Sequence, residues 1–136
     1  MLRDMHTVFV CVDSGPARRL IVETLTGSGV NCIIVGMGMQ HTPSGLSGQV
    51  ATTTAGPGRW DHVGRRVSYG TRDEEAHDAY GQNIQIAELN ALNAVMAVIA
   101  WKKRCGFYAD IEHEGYCAYI IEGNGLVSDD QLSTSP

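Results

Sequence analysis

An aspartate at the end of an apolar run is the residue best placed to do chemistry in this sequence. Asp13 follows the run TVFVCV and precedes Ser14-Gly15-Pro16, a sequence typical of the start of a helix. In open α/β sheets, ligands bind at the carboxyl ends of the strands. A carboxylate there can hold Mg²⁺ on the phosphates of a nucleotide, because Mg²⁺ accepts one or two carboxylates together with phosphate oxygens. The structural alternative is that Asp13 caps the helix that follows.

Arg18 is the second candidate, and it lies five residues after Asp13 near the start of the same predicted helix. A guanidinium can bind a phosphate or a carboxylate through two parallel N–H bonds. The alternative is a solvated helix arginine near Glu23, since such surface pairs are common and weak.

The histidines and cysteines form no recognisable motif for a metal or a nucleophile. The histidines at 6, 41, 62, 77 and 113 have neither H-x-x-x-H nor H-E-x-x-H spacing. The cysteines at 11, 32, 105 and 117 include no C-x-x-C pair, and no G-x-S-x-G marks a nucleophilic serine. We therefore interpret the histidines as loop or surface residues and the cysteines as reduced thiols.

A βαβ unit is the element that must position these two candidates. The apolar, mostly β-branched residues 7–12 predict a strand covered on both faces in a parallel sheet. Ser14 as the cap and Gly27 as the stop predict a helix, and residues 30–39 predict a second strand. A buried parallel strand needs neighbours on both edges. The sequence offers the first strand only one, the strand at 30–39.

The rest of the chain predicts a hairpin, a loop, a helix and a final hairpin. Residues 41–45 form a turn signal, and residues 46–54 predict an antiparallel return strand. Residues 55–82 lack a sustained period and predict a mobile loop. Residues 83–104 are apolar almost all round, which predicts a long buried helix, and residues 116–125 predict a short hairpin. The expected fold is one α/β domain over residues 1–136 with a partial Rossmann-like sheet.

Composition excludes several classes of function. The chain has 136 residues, of which 43% are hydrophobic and 18% charged, and this predicts one globular domain. A net charge of -5 without a basic block argues against binding to nucleic acid or anionic membranes. No apolar run approaches the ~20 residues of a membrane span, and the N-terminal apolar stretch is too short for a signal peptide. We expect a soluble cytoplasmic protein.

Four segments together resemble the C-terminal half of ThiF-family adenylyltransferases, the bacterial relatives of MoeB and of ubiquitin-activating enzymes. They are VFVCVDSGPARRLIVETL, VNCIIVGMGM, GLSGQVATTT and NIQIAELNALNAVMAVIAWKKRCGFYAD, and they lie between residues 8 and 110 of the chain. The last one carries an N-x-Q-x-A-x-L-N-x-L-N pattern, formed by Asn83, Gln85, Ala87, Leu89, Asn90, Leu92 and Asn93.

The resemblance implies ATP-dependent adenylation of the C-terminal carboxylate of a ubiquitin-like or sulfur-carrier protein. The family's aspartate at the end of a sheet strand, associated with Mg·ATP, matches Asp13. Its D-N-x-x-x-R spacing is met by Asp13, Ser14 and Arg18, with serine in place of asparagine. The resemblance thus assigns Asp13 to Mg²⁺, to ATP and to catalysis, Ser14 to ATP, and Arg18 to catalysis.

The family's glycine-rich nucleotide loop and ribose-binding acidic residue precede that aspartate, and residues 1–12 contain neither. We therefore expect a fragment that works with a separate N-terminal half or a homodimer partner and is weakly active or inactive alone. The alternative is a non-catalytic protein-binding module derived from the same fold, which docks a partner through its sheet edge or the 55–82 loop.

Overall fold

The computed structural model describes residues 1–70 and 86–128, which form an α/β fold around one mixed sheet. A short 3-10 turn, Leu2–Asp4, comes first. It is followed by β1 (Thr7–Val10), α1 (Gly15–Leu25), β2 (Asn31–Thr42), β3 (Gly45–Ala55), α2 (Val63–Arg66), α3 (Ala87–Arg104), β4 (Tyr116–Ile120) and β5 (Gly125–Ser128). The five strands lie in the order β1-β2-β3-β4-β5. β1 and β2 are parallel and every other neighbouring pair is antiparallel. The predicted α/β class, βαβ unit and hairpins are confirmed.

The predicted start of α1 is confirmed in detail. Ser14 is the cap, and its Oγ accepts a hydrogen bond of 3.3 Å from the backbone N–H of Ala17. Pro16 lies in the first turn, where its missing N–H costs no intrahelical bond. The helix ends at Leu25, and Gly27 follows with a φ of 76°, a conformation that favours glycine. These local signals fix where the chain leaves the carboxyl end of β1 and where it returns to β2.

α1 and α3 cover opposite faces of the sheet. Cys32 and Ile34 of β2 pack with α1 in a core cluster that includes Val10, Val22 and Leu25. Successive side chains of a strand point to opposite faces, so Asn31 and the residues at two-residue intervals after it face the other way. On that face the α3 side chains of Leu89, Asn93 and Ala97 are buried, and Asn93 Nδ2 donates to the carbonyl of Gly36 at 3.1 Å.

The long helix α3 is buried on one side only, so the prediction of a buried helix over residues 83–104 is wrong. Val95 and Val98 are 54% and 44% exposed. The physical reason is that α3 lies on a single sheet layer, and no other described element covers its outer face. The helix starts at Ala87, and residues 83–85 of the predicted helix lie outside the described residues. None of the helices within residues 1–70 and 86–128 has the length and apolar character needed to cross a bilayer.

The first strand is an edge strand, whereas its apolar sequence predicts an interior one. Among the strands that the structure describes, β1 pairs only with β2, and Phe9 is 41% exposed. The sequence predicts a mobile loop over residues 55–82, but part of this range has regular structure. Ala55 ends β3, Val63–Arg66 form α2, and Val63 is buried in the α1 core cluster. Residues 71–82 of the expected loop lie outside the described residues.

Candidate functional site

Asp13 lies at the carboxyl end of β1, where the sequence predicts it. It is exposed, and within residues 1–70 and 86–128 its carboxylate has no hydrogen bond or ion pair. The helix cap is supplied by its neighbour Ser14. The alternative interpretation, in which Asp13 caps α1, is therefore wrong. Ser14 already makes the side-chain bond that an N-cap residue makes, which leaves the carboxylate available to a ligand.

Arg18 reaches back to the same point of the chain, but it contacts backbone rather than open solvent. Its Nη2 donates to the carbonyl of Val12 at 2.8 Å, and its Nη1 donates to the carbonyl of Ser68 at 2.7 Å. The guanidinium therefore joins the end of β1 to the segment that follows α2. Neither expectation for this residue, a free phosphate ligand or a solvated partner of Glu23, describes this arrangement. Its role in the structure is to hold the backbone next to Asp13.

The segment Ser68-Tyr69-Gly70 lies directly against the first turn of α1. A Cβ atom built on Gly15 would lie 1.6 Å from the carbonyl oxygen of Tyr69, so only glycine permits this approach. The guanidinium carbon of Arg19 lies 4.8 Å from the centroid of the Tyr69 ring, within the range of a cation–π interaction. This contact was not predicted from the sequence. Its signal was a glycine at the first position of a helix, where alanine has the higher helix propensity.

The residues around Asp13 fit a magnesium ion that is shared with phosphates, but they do not form a nucleotide cradle. Among residues 1–70 and 86–128, no three His, Cys, Asp or Glu side chains cluster as a metal site would require. One carboxylate is nevertheless a sufficient protein contribution when phosphate oxygens and water complete the octahedron. Phosphate donors are scarce here, because Pro16 has no N–H, Ala17 donates to Ser14, and Arg18 is engaged. The phosphates would need a second source of donors.

The outer edge of β1, which has no paired strand within residues 1–70 and 86–128, lies close to Asp13. Its other edge carries the β1–β2 hydrogen bonds, with Phe9 opposite Ile33 and Val10 opposite Ile34. The ring of Phe9 contacts that of Trp101 edge-on, with centroids 6.2 Å apart, and Trp101 is 36% exposed. An apolar edge strand with exposed aromatic side chains is a template for pairing with another strand.

A second group of polar residues, which the sequence pattern does not predict, lies on the α3 face of the sheet. Lys103 near the end of α3 donates to Glu114 Oε1 at 2.8 Å, and the two side chains are 29% and 23% exposed. The hydrogen bond with Glu114 raises the pKa of Lys103 above its ordinary value. The signal in the sequence was the basic triplet Lys102-Lys103-Arg104 followed by the acidic residues of 110–114. Basic residues at the end of a helix also interact favourably with its dipole, so the triplet alone does not predict a tertiary ion pair.

The cysteines differ in their environment. Cys32 is buried in the α1 core, and desolvation raises its pKa to about 12. Burial also raises the pKa of Cys117, whereas Cys11 and Cys105 are exposed. A thiol with a raised pKa is a poor nucleophile at neutral pH, because the thiolate is the reactive form.

A comparison of the chain with protein-family models, with curated proteins and with solved structures finds no match.

Proposed function

We propose that this chain is the C-terminal part of a ThiF-type adenylyltransferase, in which Asp13 holds the magnesium ion of Mg·ATP. The reaction is activation of the C-terminal carboxylate of a ubiquitin-like or sulfur-carrier protein. The observation that carries the proposal is the carboxylate of Asp13, which lies at the carboxyl end of a parallel strand and has no partner among residues 1–70 and 86–128, with Ser14 and not Asp13 capping α1. This is the place where open α/β sheets bind ligands. The resemblance to the ThiF family supplies the reaction.

Each residue near Asp13 has a separate part in this proposal. Asp13 contributes one anionic ligand, and the magnesium ion bound there would offset the negative charge of the phosphates. Ser14 fixes the start of α1 through its bond to Ala17, and so fixes the direction in which the neighbouring carboxylate leaves the chain. Arg18 is a positioning residue, because its bond to the carbonyl of Val12 holds the backbone immediately before Asp13.

The remaining contacts to the nucleotide come from a glycine-rich βαβ half, either in the same polypeptide or in a separate chain. The free edge of β1 supports this part of the proposal, because a parallel strand added there would lie next to Asp13. Such a strand would also cover Phe9, and a neighbouring element would cover the exposed aromatic side of α3 at Trp101.

Pyrophosphate exchange tests the proposal in a reconstituted protein, consisting of this chain fused to or mixed with the nucleotide-binding half of a ThiF-family protein. Asp13→Asn keeps the shape of the side chain and removes the charge that holds the metal. We expect loss of exchange by a factor of at least 100 and unfolding close to the parent temperature.

Two control variants separate the metal-binding role from structural roles. Ser14→Ala removes the cap and lowers stability by ~1 kcal/mol, but it retains the carboxylate of Asp13, so exchange should fall far less than in Asp13→Asn. Glu23→Gln removes another exposed carboxylate from α1 and leaves exchange at the parent rate. Exchange at the parent rate in Asp13→Asn would refute the assignment.

The alternative function, a non-catalytic protein-binding module, is favoured by one specific observation, the exposed apolar face of α3 at Val95, Val98 and Ile99. The same experiment distinguishes the two functions. A binding module forms a stable complex with the added half and shows no exchange with or without the Asp13 substitution.

A further inference from the structure

A pocket of about 210 Å³ lies between α3 and the strands β3, β4 and β5. Its apolar wall comes from Met96, Ile99 and Leu126, and its polar side from Thr52, Arg104 and the Lys103–Glu114 ion pair. The pocket is on the α3 face of the sheet, whereas the helix that follows Asp13 packs on the other face. It is therefore separate from the candidate magnesium site.

Two buried donors at this pocket have no acceptor within the described residues. Thr52 is only 3% exposed, and its Oγ1 makes no hydrogen bond there. Arg104 uses Nη1 to donate to Asn31 Oδ1 at 3.0 Å, while its Nη2 is buried and has no partner among those residues. Buried polar groups are nearly always hydrogen-bonded, so two orphaned groups beside one cavity indicate a missing partner. A guanidinium can only donate, which makes that partner an acceptor.

The charges around the pocket favour an anion as this acceptor. Lys103 and Glu114 neutralise each other across 2.8 Å, and the carboxylate of Asp110 lies 3.6 Å from His113. Burial lowers the pKa of Arg104, the nearby positive charge of Arg59 lowers it further, and the negative charge of Asp110, which also lines the pocket, offsets part of this. An anion next to Arg104 would offset both the desolvation of the guanidinium and its repulsion by Arg59.

We propose that this pocket binds a small carboxylic acid with a compact apolar body. The carboxylate accepts from Arg104 and Thr52, and the hydrocarbon part packs against Met96, Ile99 and Leu126. The size supports this class of ligand, since an apolar cavity of about 150 Å³ already admits benzene. A pocket of 210 Å³ has room for a benzene ring and one carboxylate. This binding site is independent of the proposed adenylation reaction.

The test is a nuclear magnetic resonance titration of the isotope-labelled full chain with benzoate, and with benzyl alcohol as the uncharged analogue of the same size. We expect benzoate to shift the amide signals of residues around 52, 104 and 117 with a millimolar or smaller Kd. Benzyl alcohol is expected to bind at least tenfold more weakly. Equal affinity for the two compounds, or the absence of shifts at these amides, would overturn the proposal.

Two variants assign the contacts, and a third serves as a control. Arg104→Met is expected to weaken benzoate binding at least tenfold, and Thr52→Val, which keeps the side-chain shape, three- to tenfold. Lys102→Met is the control, because it removes a charge next to Lys103 that does not line the pocket. The Nζ of Lys102 lies 4.6 Å from the centroid of the Phe107 ring. This variant should leave the Kd for benzoate within twofold of the parent value. If Arg104→Met does not fold, Thr52→Val and the benzyl alcohol comparison decide the question. Parent affinity in Thr52→Val would remove that residue from the site and contradict the proposed carboxylate position.

Discussion

Replacing Gly15 by alanine tests the contact that closes the candidate site on the side of Tyr69. The added Cβ would lie 1.6 Å from the carbonyl oxygen of Tyr69 and 2.5 Å from its carbonyl carbon, whereas ordinary contacts begin at 3.4 Å. Both obstructing atoms belong to the backbone, so no side-chain rotation relieves the clash. Residues 68–70 must move away from α1 by nearly 2 Å.

The energetic cost of Gly15→Ala follows from the contacts that this movement breaks. Overpacking of a fixed backbone costs about 1–3 kcal/mol. The charge-assisted bond from Arg18 to the carbonyl of Ser68, 2.7 Å long, contributes about 1.5–3 kcal/mol when intact. The higher helix propensity of alanine returns at most about 1 kcal/mol. We expect a net destabilisation of about 2–4 kcal/mol, or a fall in Tm of about 8–15 °C for a domain of this size.

Urea unfolding monitored by tryptophan fluorescence measures this change, because Trp60 packs against the α1 core. The matched control is Gly64→Ala, since a Cβ at Gly64 meets no atom within 4 Å. The control should not lower the free energy of unfolding and can raise it by up to about 1 kcal/mol, because Gly64 lies in α2 and alanine favours the helix. If Gly15→Ala is as stable as Gly64→Ala, residues 68–70 do not pack against α1, and the contact described beside the candidate site is wrong.

Three further predictions concern the isolated chain. Calorimetry should detect no micromolar binding of Mg·ATP, because α1 offers few free phosphate donors and Arg18 is engaged; a micromolar Kd would contradict this. Light scattering should show self-association at high concentration through the β1 edge and the outer face of α3, and Val98→Glu should reduce it; a sharp monomer peak for the parent chain would count against that surface. Glu114→Gln should lower stability by about 1 kcal/mol at pH 7. Since the pKa of Lys103 is raised in the folded chain, the ion pair contributes fully below pH 10.5 and its contribution is lost as the pH rises through the raised value. The stability difference between parent and Glu114→Gln should therefore shrink above pH 10.5, and a constant difference would contradict the ion pair.

The elements with strong local signals could be predicted from the sequence. Ser14 and Pro16 mark the start of α1, and Pro43-Ser44 connect the two strands of the long hairpin. Each depends on the conformational preference of one or two residues, so no knowledge of the tertiary structure is needed. The position of Asp13 at the carboxyl end of β1 follows from the same local signals.

The relations between distant segments could not be predicted in this way. Arg18 bonds to Ser68, fifty residues later in the chain, and Arg104 bonds to Asn31, seventy-three residues earlier. Both contacts depend on how the elements pack, which hydrophobic periodicity does not specify. The exposure of Val95 and Val98 was not predicted for the same reason. An apolar helix surface indicates that the helix packs against other elements, but it does not show whether this chain supplies them.

The most direct test of the central claim, that Asp13 holds the metal of Mg·ATP, uses Mn²⁺ as a paramagnetic substitute for Mg²⁺ in the reconstituted protein with ATP. We expect Mn·ATP to broaden the amide signals of residues 13–15 and 17 more strongly than those of α3. Asp13→Asn should abolish this broadening, and Glu23→Gln should preserve it. If pyrophosphate exchange proceeds with Mn²⁺ and these amide signals remain sharp, the metal is bound elsewhere and the claim is wrong.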